Sequence, residues 1–401
     1  MRTIARPPVP TEESFTSEQR HEWLTARIGT WLGIAFGLCF VTGLISHWYY
    51  LYDAWLVPPT RPIWGYRVTQ GVHILSGIAA TPLLLFKLWS VYPKLFATPP
   101  FGKARDLVLN LLERVSIAVL VASAIFQLFS GISNSAQWYP WSFSFRPTHY
   151  AVAWVAIGAL LVHIAVKLPI IRAAYGAPLP EPAPPQLDDE GRFVDADDAA
   201  RRHNPSRRAI LLTAFTASGL AVLASAGNTI TWLRKVSLFA VRDGEGPQGV
   251  PINRSAQAAG VQREETGTTF RLEVRNGSRS VSLSREDLQA MRQRTHQLPI
   301  ACVEGWSANA EWTGVRLSEL LALVGASQDA PVKVVSLQTR HAFGVTEVPS
   351  SFAHDPLTLL ALQLNGEDLT LDHGYPCRLI APNRPGVFQT KWVRRLEVLK
   401  S

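Results

Sequence analysis

Four long apolar runs in the first 172 residues constrain the fold more than any other feature of this chain. They extend over residues 28–48, 68–89, 115–132 and 150–171. Each run is close to the roughly 20 residues that an α-helix needs to cross the hydrocarbon core of a bilayer. The sequence therefore predicts an all-α transmembrane four-helix bundle over residues 27–175, preceded by a cytoplasmic tail over residues 1–26.

Tryptophans and basic residues near the ends of these runs indicate how the bundle lies in a membrane. Many of the 13 tryptophans lie near the run ends, as in the aromatic belts of membrane interfaces. Lysine and arginine concentrate between the second and third runs and again after the fourth. The positive-inside rule then predicts a multi-pass protein of a bacterial cytoplasmic membrane with a cytoplasmic N-terminus. The net charge is +8, but many basic residues flank the apolar runs and they do not cluster on one soluble face, which argues against nucleic acid as a partner.

A proline-rich and acidic stretch over residues 176–206 predicts an extended linker. A weaker apolar run, Ala209 to Ala226, follows, and residues 207–227 are predicted to form one further anchor helix. It opens with Arg207 and Arg208, and a twin arginine before a modest apolar stretch resembles the signal that exports folded, cofactor-loaded proteins. Two ordinary positive-inside arginines explain the pair equally well, so a role for the twin-arginine export machinery stays open. Both interpretations place residues 228–401 on the extracytoplasmic side.

The sequence pattern changes to short strands after the anchor. Apolar and polar residues alternate around residues 270–283, as in half-buried strands. Ser284 and Asp287 have the spacing of a capping box, and a helix is expected over residues 316–324, ended by Gly325. Further strands are expected over residues 332–337, 378–381 and 393–399. Residues 228–401 are therefore predicted to form an α+β domain that is mostly strand.

Four histidines lie in or beside the apolar runs: His47, His73, His149 and His163. His149 and His163 are separated by nearly four helical turns, so their rings face one side at a distance of about 21 Å along the helix. One helix can thus supply a ligand to an outer haem and to an inner haem. His73 enters its helix from the outer side, as His149 does, and the two are expected to hold one iron as a bis-histidine pair. His47 competes with His73 for this role.

Iron held by two imidazoles has no open position, which is typical of electron transfer rather than substrate binding. The alternative is that these histidines are interfacial or hydrogen-bonded packing residues. Their layout over residues 20–172 resembles the cytochrome b membrane subunits of formate dehydrogenases and related quinone-linked cytochromes. The resemblance rests on His73, on the His149 and His163 pair, and on Trp31 in a helix that ends Thr42-Gly43-Leu44.

The cytochrome b resemblance implies haem b and an exchange of electrons with membrane quinone or quinol. Where that family has a ligand histidine at the inner start of the first helix, this chain has Thr30. The resemblance therefore implies one haem at His73 and His149, and it leaves an inner haem at His163 without its second ligand.

Cys302 lies alone in the polar C-terminal half, and a lone thiolate is a soft ligand suited to one transition-metal centre. His373, Arg378 and Lys391 offer donors to a phosphate group, and arginine can bind one in a bidentate manner. A basic loop of this kind is otherwise a solvated surface. The three cysteines of the chain give no disulfide framework.

The order of motifs around these residues resembles the sulfite oxidase family of molybdopterin enzymes over residues 250–401. The motifs are the Cys302 block, Leu364-Asn365-Gly366-Glu367, Asp372-His373-Gly374-Tyr375-Pro376 and Lys391-Trp392. The resemblance implies that Cys302 ligates molybdenum. It also implies that Asn253, His373, Arg378 and Lys391 contact the molybdopterin.

The residues that follow Cys302 differ from those of sulfite oxidases, which have a Gly-Asn-Arg type of sequence there. Here the sequence is Val303-Glu304-Gly305-Trp306-Ser307, which is similar to the periplasmic methionine sulfoxide reductase branch. That branch takes electrons from a membrane haem partner. The similarity implies that Glu304 and Trp306 line a substrate pocket, and a structural role is the alternative.

Together these features predict a membrane-bound oxidoreductase that passes electrons between quinone, haem b and a molybdenum centre. The expected reaction is oxo transfer from an S-oxide, a small-molecule substrate. Oxidation of a sulfite-like anion and a non-catalytic electron-transfer role are the alternatives.

Overall fold

The computed structural model describes residues 10–15, 20–51, 56–100, 102–176, 206–240, 247–340 and 342–400. The chain divides into two compact units. We call residues 1–40, 75–134 and 139–222 the helical unit, and residues 41–74, 135–138 and 223–401 the sheet unit. The predicted linker over residues 176–206 lies, apart from its two end residues, outside the described residues.

Five long helices dominate the first part of the chain. They are α1 (Glu22–Trp48), α2 (Gly65–Val91), α3 (Ala104–Ser135), α4 (Phe145–Gly176) and α5 (Arg207–Ala226). In the described part of the chain, these five are long and apolar enough to cross a membrane. The predicted helical region with several apolar helices is confirmed, and the packing of four of them as one bundle stays a prediction.

The third helix is longer than its apolar run indicates. α3 begins at Ala104 and spans 32 residues, whereas the apolar run begins at residue 115. The segment ahead of the run contains several strong helix formers, Ala, Leu, Arg and Glu, so the helix extends through it. Because this part of the helix contains charged residues, a search for apolar runs does not detect it.

Packing inside the helical unit joins α5 to the first helices. Leu24, Ile28 and Ile210 form a small buried cluster. The Ser218 hydroxyl donates a hydrogen bond of 3.0 Å to the Ala79 carbonyl. α5 is therefore packed by both apolar contact and hydrogen bonding within this unit.

The sheet unit contains, over its described residues, two five-stranded sheets and four short α-helices. The strands are β1 (Leu272–Asn276), β2 (Arg279–Leu283), β3 (Gln293–Ala301), β4 (Ser307–Arg316), β5 (Val332–Ser336), β6 (Val345–Val348), β7 (Leu359–Leu364), β8 (Glu367–Asp368), β9 (Arg378–Ile380) and β10 (Val393–Val398). The helices are α6 (Ala256–Ala259), α7 (Arg285–Ala290), α8 (Leu317–Ala322) and α9 (Ser350–Ala353). The predicted mostly-β C-terminal domain is confirmed.

One sheet has the order β2-β1-β10-β5-β6, with β1 and β10 parallel and the other pairs antiparallel. The other has the order β3-β4-β7-β8, with β9 paired to β7. The capping box of Ser284 and Asp287 is present at the start of α7. Pro299 lies in β3, an edge strand, where its missing N–H leaves no ladder hydrogen bond unmade inside the sheet.

Residues 41–74, which include the last residues of α1 and the first residues of α2, belong to the sheet unit. Tyr50 and Tyr66 are buried with Phe388 in one aromatic cluster. The Tyr66 amide donates to the Asn383 side-chain oxygen at 2.6 Å, and Arg61 pairs with Asp355 at 2.9 Å. These contacts hold the chain between α1 and α2 against the strands.

Candidate active site

Cys302 occupies the tight connection between β3 and β4. Ala301 pairs with Ser307 at the end of the two strands, so residues 302–306 form the turn. The Cys302 amide donates to the Trp306 carbonyl at 2.9 Å, and the Gly305 amide donates to the Cys302 carbonyl at 3.0 Å. Gly305 has a φ of +94°, a left-handed conformation that favours glycine. The turn therefore fixes the thiol in one position.

The Cys302 side chain is only 2% exposed and lies in an apolar cluster with Trp306 and Trp312. Burial raises the pKa of the Cys302 thiol far above its usual range, and the nearby charge of Glu304 raises it further. The thiolate that a metal needs is thus unfavourable here unless a cation binds it. This environment fits a metal ligand better than a free nucleophile.

Gly374 allows the predicted phosphate-binding residues to pack together. It follows the short turn that contains His373 and has a φ of +111°. A Cβ atom at this position would lie 3.1 Å from the Lys391 Cβ and 3.2 Å from the Arg378 Cβ. The structure therefore brings His373, Arg378 and Lys391 together around one glycine.

Lys391 and Arg378 are buried cations, with 8% and 2% exposure. The Lys391 ammonium donates to the carbonyls of Arg254 at 2.9 Å and Asp372 at 2.7 Å. Arg378 donates through one terminal nitrogen to the His373 carbonyl at 3.2 Å, while its Nε is buried and has no hydrogen-bond partner among the described residues. These bonds fix both side chains but use carbonyl groups rather than carboxylates.

The electrostatics of the two cations point to an anionic ligand. Burial lowers the pKa of Arg378 to about 9, although the charge of Cys302 acts in the opposite direction. Burial and the charge of Arg378 lower the pKa of Lys391 well below its usual range. Buried charges are stable when they are paired, so a cluster with two cations and one buried thiol fits a bound anion that carries a soft metal. A molybdopterin phosphate with its metal on Cys302 meets both requirements.

Asn253, the fourth predicted molybdopterin contact, is half-buried in the segment before α6. Lys391 holds the carbonyl of the adjacent Arg254, and the Ala256 amide donates to the Asp372 carboxylate at 2.8 Å. This segment is therefore tied to the loop that contains His373.

Glu304 and Trp306, the predicted pocket residues, are bonded to each other. The Trp306 indole donates to the Glu304 carboxylate at 3.0 Å. The Gln137 amide donates to the same carboxylate oxygen at 2.6 Å. Gln137 lies between α3 and α4, and the sequence analysis missed it because a single glutamine in a loop carries no motif.

Two predicted haem ligands have described contacts, each within its own unit, and those of His149 suit imidazole coordination. In the helical unit, the Ser130 hydroxyl lies 2.9 Å from the His149 Nδ1. A hydrogen bond at Nδ1 orients the ring and leaves Nε2 for a metal, as second-shell bonds do in metal sites. In the sheet unit, a Cβ atom at Gly43 would lie 3.0 Å from the His73 Cε1, so α1 and His73 are closely packed.

The other two predicted histidines lie elsewhere on these helices. His47 is in the last turn of α1, and His163 lies within α4 beyond His149. Their roles stay predictions.

A separate cleft of about 460 Å³ lies beside β1 and β2 in the sheet unit. Its lining includes Arg271, Glu273, Ser280 and Arg394. The predicted site residues do not line this cleft, so the candidate site does not depend on it.

Comparison with known proteins identifies the type of domain. Residues 258–401 match the family described as oxidoreductase molybdopterin binding domain. The putative protein-methionine-sulfoxide reductase subunit YedZ1 of Azospira oryzae is 34% identical over 35% of this chain and 52% of that protein. The mitochondrial sulfite oxidase of Homo sapiens is 32% identical over 32% of this chain and 29% of that protein. The solved sulfane dehydrogenase SoxCD of Paracoccus pantotrophus is 26% identical over 33% of this chain and 39% of that one, with a TM-score of 0.30.

The chain spans about half or less of the length of these relatives. Residues 258–401 are therefore similar to the molybdopterin-binding domains of oxidoreductases, those of sulfite oxidases included. The predicted molybdopterin cofactor and the predicted likeness to a methionine sulfoxide reductase protein are confirmed. The cytochrome b resemblance and the haem stay predictions.

Proposed function

We propose that this molybdopterin-dependent oxidoreductase is anchored in the bacterial cytoplasmic membrane and reduces an S-oxide on the extracytoplasmic side. His73 and His149 would hold a haem b that accepts electrons from quinol, and the overall reaction would convert the S-oxide and quinol to a sulfide, water and quinone. In this proposal residues 27–175 are the haem domain, residues 207–227 the anchor and residues 228–401 the catalytic domain.

The observation that carries the proposal is the buried Cys302 thiol beside two buried cations without carboxylate hydrogen-bond partners. Cys302 would hold molybdenum, which when bound exchanges an oxygen atom with a substrate in a two-electron reaction. Arg378 and Lys391 would hold the anionic part of the cofactor, with His373 and Asn253 beside them. The tight turn at Cys302 keeps the ligand in place and excludes water from it.

Glu304 favours an S-oxide over sulfite as the substrate. Its carboxylate lies two residues from Cys302 and accepts hydrogen bonds from Trp306 and Gln137. A negative charge here repels a sulfite anion, because like charges disfavour each other in a partly buried site. A neutral S-oxide carries no such penalty, and a methionine-sulfoxide reductase protein is among the relatives of the chain.

The membrane part of the proposal is supported by separate observations. Five apolar helices suit a multi-pass protein in a lipid bilayer. The hydrogen bond from Ser130 suits His149 as an iron ligand, and the close packing at Gly43 restrains His73. The proposal that these two histidines bind one iron rests on the sequence, in which each lies near the outer end of its apolar run. Arg207 and Arg208 at the start of α5 suit export of a folded domain.

The test uses the full-length protein purified in detergent from a host that makes both cofactors. We expect molybdenum, a b-type haem spectrum, and reduction of methionine sulfoxide driven by reduced viologen. Cys302→Ser should remove molybdenum and turnover, because a hydroxyl is a poor soft-metal ligand. Cys377→Ser is the matched control, since Cys377 is also buried but its thiol donates to the Val393 carbonyl.

Two results would contradict the proposal. If Cys302→Ser keeps its molybdenum and its turnover, the assignment of Cys302 as the metal ligand is wrong. Oxidation of sulfite by the wild type, with no reduction of any S-oxide, would reverse the direction of the reaction.

A further inference from the structure

The N-terminal part of α2 packs directly on the turn that contains Cys302, and both belong to the sheet unit. The Gln70 amide donates to the Val303 carbonyl at 3.2 Å. A Cβ atom at Gly305 would lie only 2.2 Å from the Ile74 Cδ1, so the Ile74 side chain rests on the bare face of this glycine. Gly305 in turn donates its amide to the Cys302 carbonyl.

The contact is made by one continuous face of α2. Residues 67, 70, 71 and 74 follow the i, i+3, i+4, i+7 spacing of one side of a helix. Arg67 donates to the Asn309 side chain at 2.6 Å and to the Thr229 carbonyl at 2.8 Å. A Cβ atom at Gly71 would lie 3.3 Å from the Thr229 Cβ, so the backbones approach closely here. The Thr229 hydroxyl also donates to the Gly305 carbonyl at 3.2 Å.

His73 lies on the same two turns of α2 but on another side of the helix. It follows Gln70 by three residues and precedes Ile74, and its ring contacts Gly43 of α1. One side of α2 therefore carries a predicted haem ligand, and another side contacts the Cys302 turn.

We propose that Ile74 and Gln70 are positioning residues that hold the Cys302 turn against the helix of His73, so that electrons pass between the two centres through the Ile74–Gly305 contact. This inference rests on the proposed function. The route needs one non-bonded step, from the Ile74 Cδ1 to Gly305, followed by the hydrogen bond to the Cys302 carbonyl. Two one-electron transfers along it, with two protons from water, reduce one S-oxide to a sulfide and water. One quinol, oxidised to quinone, supplies both electrons and releases two protons.

The first test separates electron transfer from catalysis. Full-length Ile74→Ala is reduced at the haem, mixed with methionine sulfoxide, and followed by haem reoxidation in a stopped-flow instrument. We expect reoxidation to slow by about tenfold or more, because small misplacements of reacting partners cost one to two orders of magnitude in rate. Molybdenum content, haem content and viologen-driven reduction should match the wild type.

Matched variants separate positioning from general damage. Val68→Ala removes similar bulk from an exposed position on the same turns of α2 and should leave reoxidation unchanged. Ile74→Leu keeps an apolar side chain of the same size and should restore most of the rate. Equal reoxidation rates in Ile74→Ala and Val68→Ala would overturn the proposal, and so would a loss of viologen-driven turnover in Ile74→Ala that parallels the slowed reoxidation.

A second test measures the docking without any cofactor chemistry. The Gly71→Cys/Thr229→Cys protein should form a disulfide on mild oxidation in membranes, because the Cβ atoms are close to disulfide separation. Val68→Cys/Thr229→Cys should stay reduced, and counting of alkylated thiols distinguishes the two. Absence of the first disulfide would overturn the docking. A wild type without haem, molybdenum or turnover would refute the proposed function instead, while the disulfide result would still stand.

Discussion

Replacing Arg378 by methionine tests whether the basic cluster binds an anion. Burial lowers the pKa of Arg378 to about 9, from an ordinary value of about 12.5. Because one pKa unit corresponds to about 1.4 kcal/mol, holding the charged guanidinium without its ligand costs on the order of 5 kcal/mol. Methionine has a similar length and no charge, so the variant escapes this cost.

Two favourable interactions of Arg378 are lost in the same variant. The hydrogen bond to the His373 carbonyl contributes about 2 kcal/mol. The guanidinium lies 5.3 Å from the Trp312 ring, a contact that contributes about 1–2 kcal/mol when desolvated. Arg378→Met should therefore stabilise the cofactor-free protein by about 1–2 kcal/mol, within the range seen when buried charges are replaced by apolar residues. For a domain of this size the midpoint rises by about 2–8 °C.

The assay is thermal unfolding of the full-length protein in detergent, followed by tryptophan fluorescence. Protein from a host that cannot make molybdopterin gives the cofactor-free values, and a proficient host gives the loaded ones. Loss of a buried charge-assisted contact should weaken cofactor retention by at least tenfold in Arg378→Met. The control is Arg394→Met, which removes an exposed arginine of the same unit and should change neither value.

The pH dependence gives an independent check. Above about pH 9 the folded cofactor-free protein has released the Arg378 proton while the unfolded chain still holds it, so stability rises with pH in this window. Arg378→Met should lack this part of the rise. Equal destabilisation of the loaded and cofactor-free proteins, with full pterin content, would refute the reasoning.

Three further predictions concern single side chains. Burial and nearby arginines lower the pKa of His296, so stability present above about pH 6.5 is lost as the pH falls, and His296→Gln should flatten this acid limb of the unfolding midpoint. Ser130→Ala removes the bond to the His149 Nδ1 and should weaken haem retention about 10- to 100-fold, measured from the b-type spectrum after dialysis. Gly43→Ala places a methyl group 3.0 Å from the His73 ring and should lower haem content, measured by pyridine haemochrome.

Each of these has an outcome that contradicts it. An unchanged acid limb would show that His296 titrates alike in the folded and unfolded chain. Normal haem retention in Ser130→Ala would remove the argument for His149 as a ligand. Gly37→Ala, at an α1 position with open space around it, is the control for Gly43→Ala, and equal haem loss in both would point to the helix rather than to His73.

Local signals predicted several elements of the sheet unit. The capping box of Ser284 and Asp287 appears as expected, and β1, β2, β5, β9 and β10 lie within two residues of the predicted strands. β1 and β2 alternate clearly and β5 is rich in valine, so short-range patterns are sufficient to identify these three.

Strands without alternation were missed. β3 is polar for most of its length and contains Pro299, which a central strand would not tolerate but an edge strand does. β7 is buried on both faces, and its sequence, Leu359–Leu364, has no period of two that would distinguish it from a helix. Since the Cys302 turn joins β3 to β4, and β7 pairs with the other end of β4, the local geometry of the candidate site could not be derived from the sequence.

The candidate site shows a similar division. The order of motifs grouped His373, Arg378 and Lys391, and the structure explains this grouping by the packing at Gly374. The contacts of Gln70 and Gln137 were invisible, because a glutamine that donates to a distant carbonyl or carboxylate leaves no pattern in sequence. Long-range hydrogen bonds of this kind follow from the fold and not from neighbouring residues.

The seating of residues 41–74 among the strands limits how the enzyme can be re-engineered. In a fragment that begins at residue 228, the Asn383 side chain would lose its hydrogen bonds to Tyr66 and Tyr49. Asp355 would lose its ion pair with Arg61, and Phe388 would become exposed to water. Residues 228–401 therefore depend on residues 41–74 for part of their packing. A chimaera that joins residues 228–401 to a different membrane domain would have to include residues 41–74 as well.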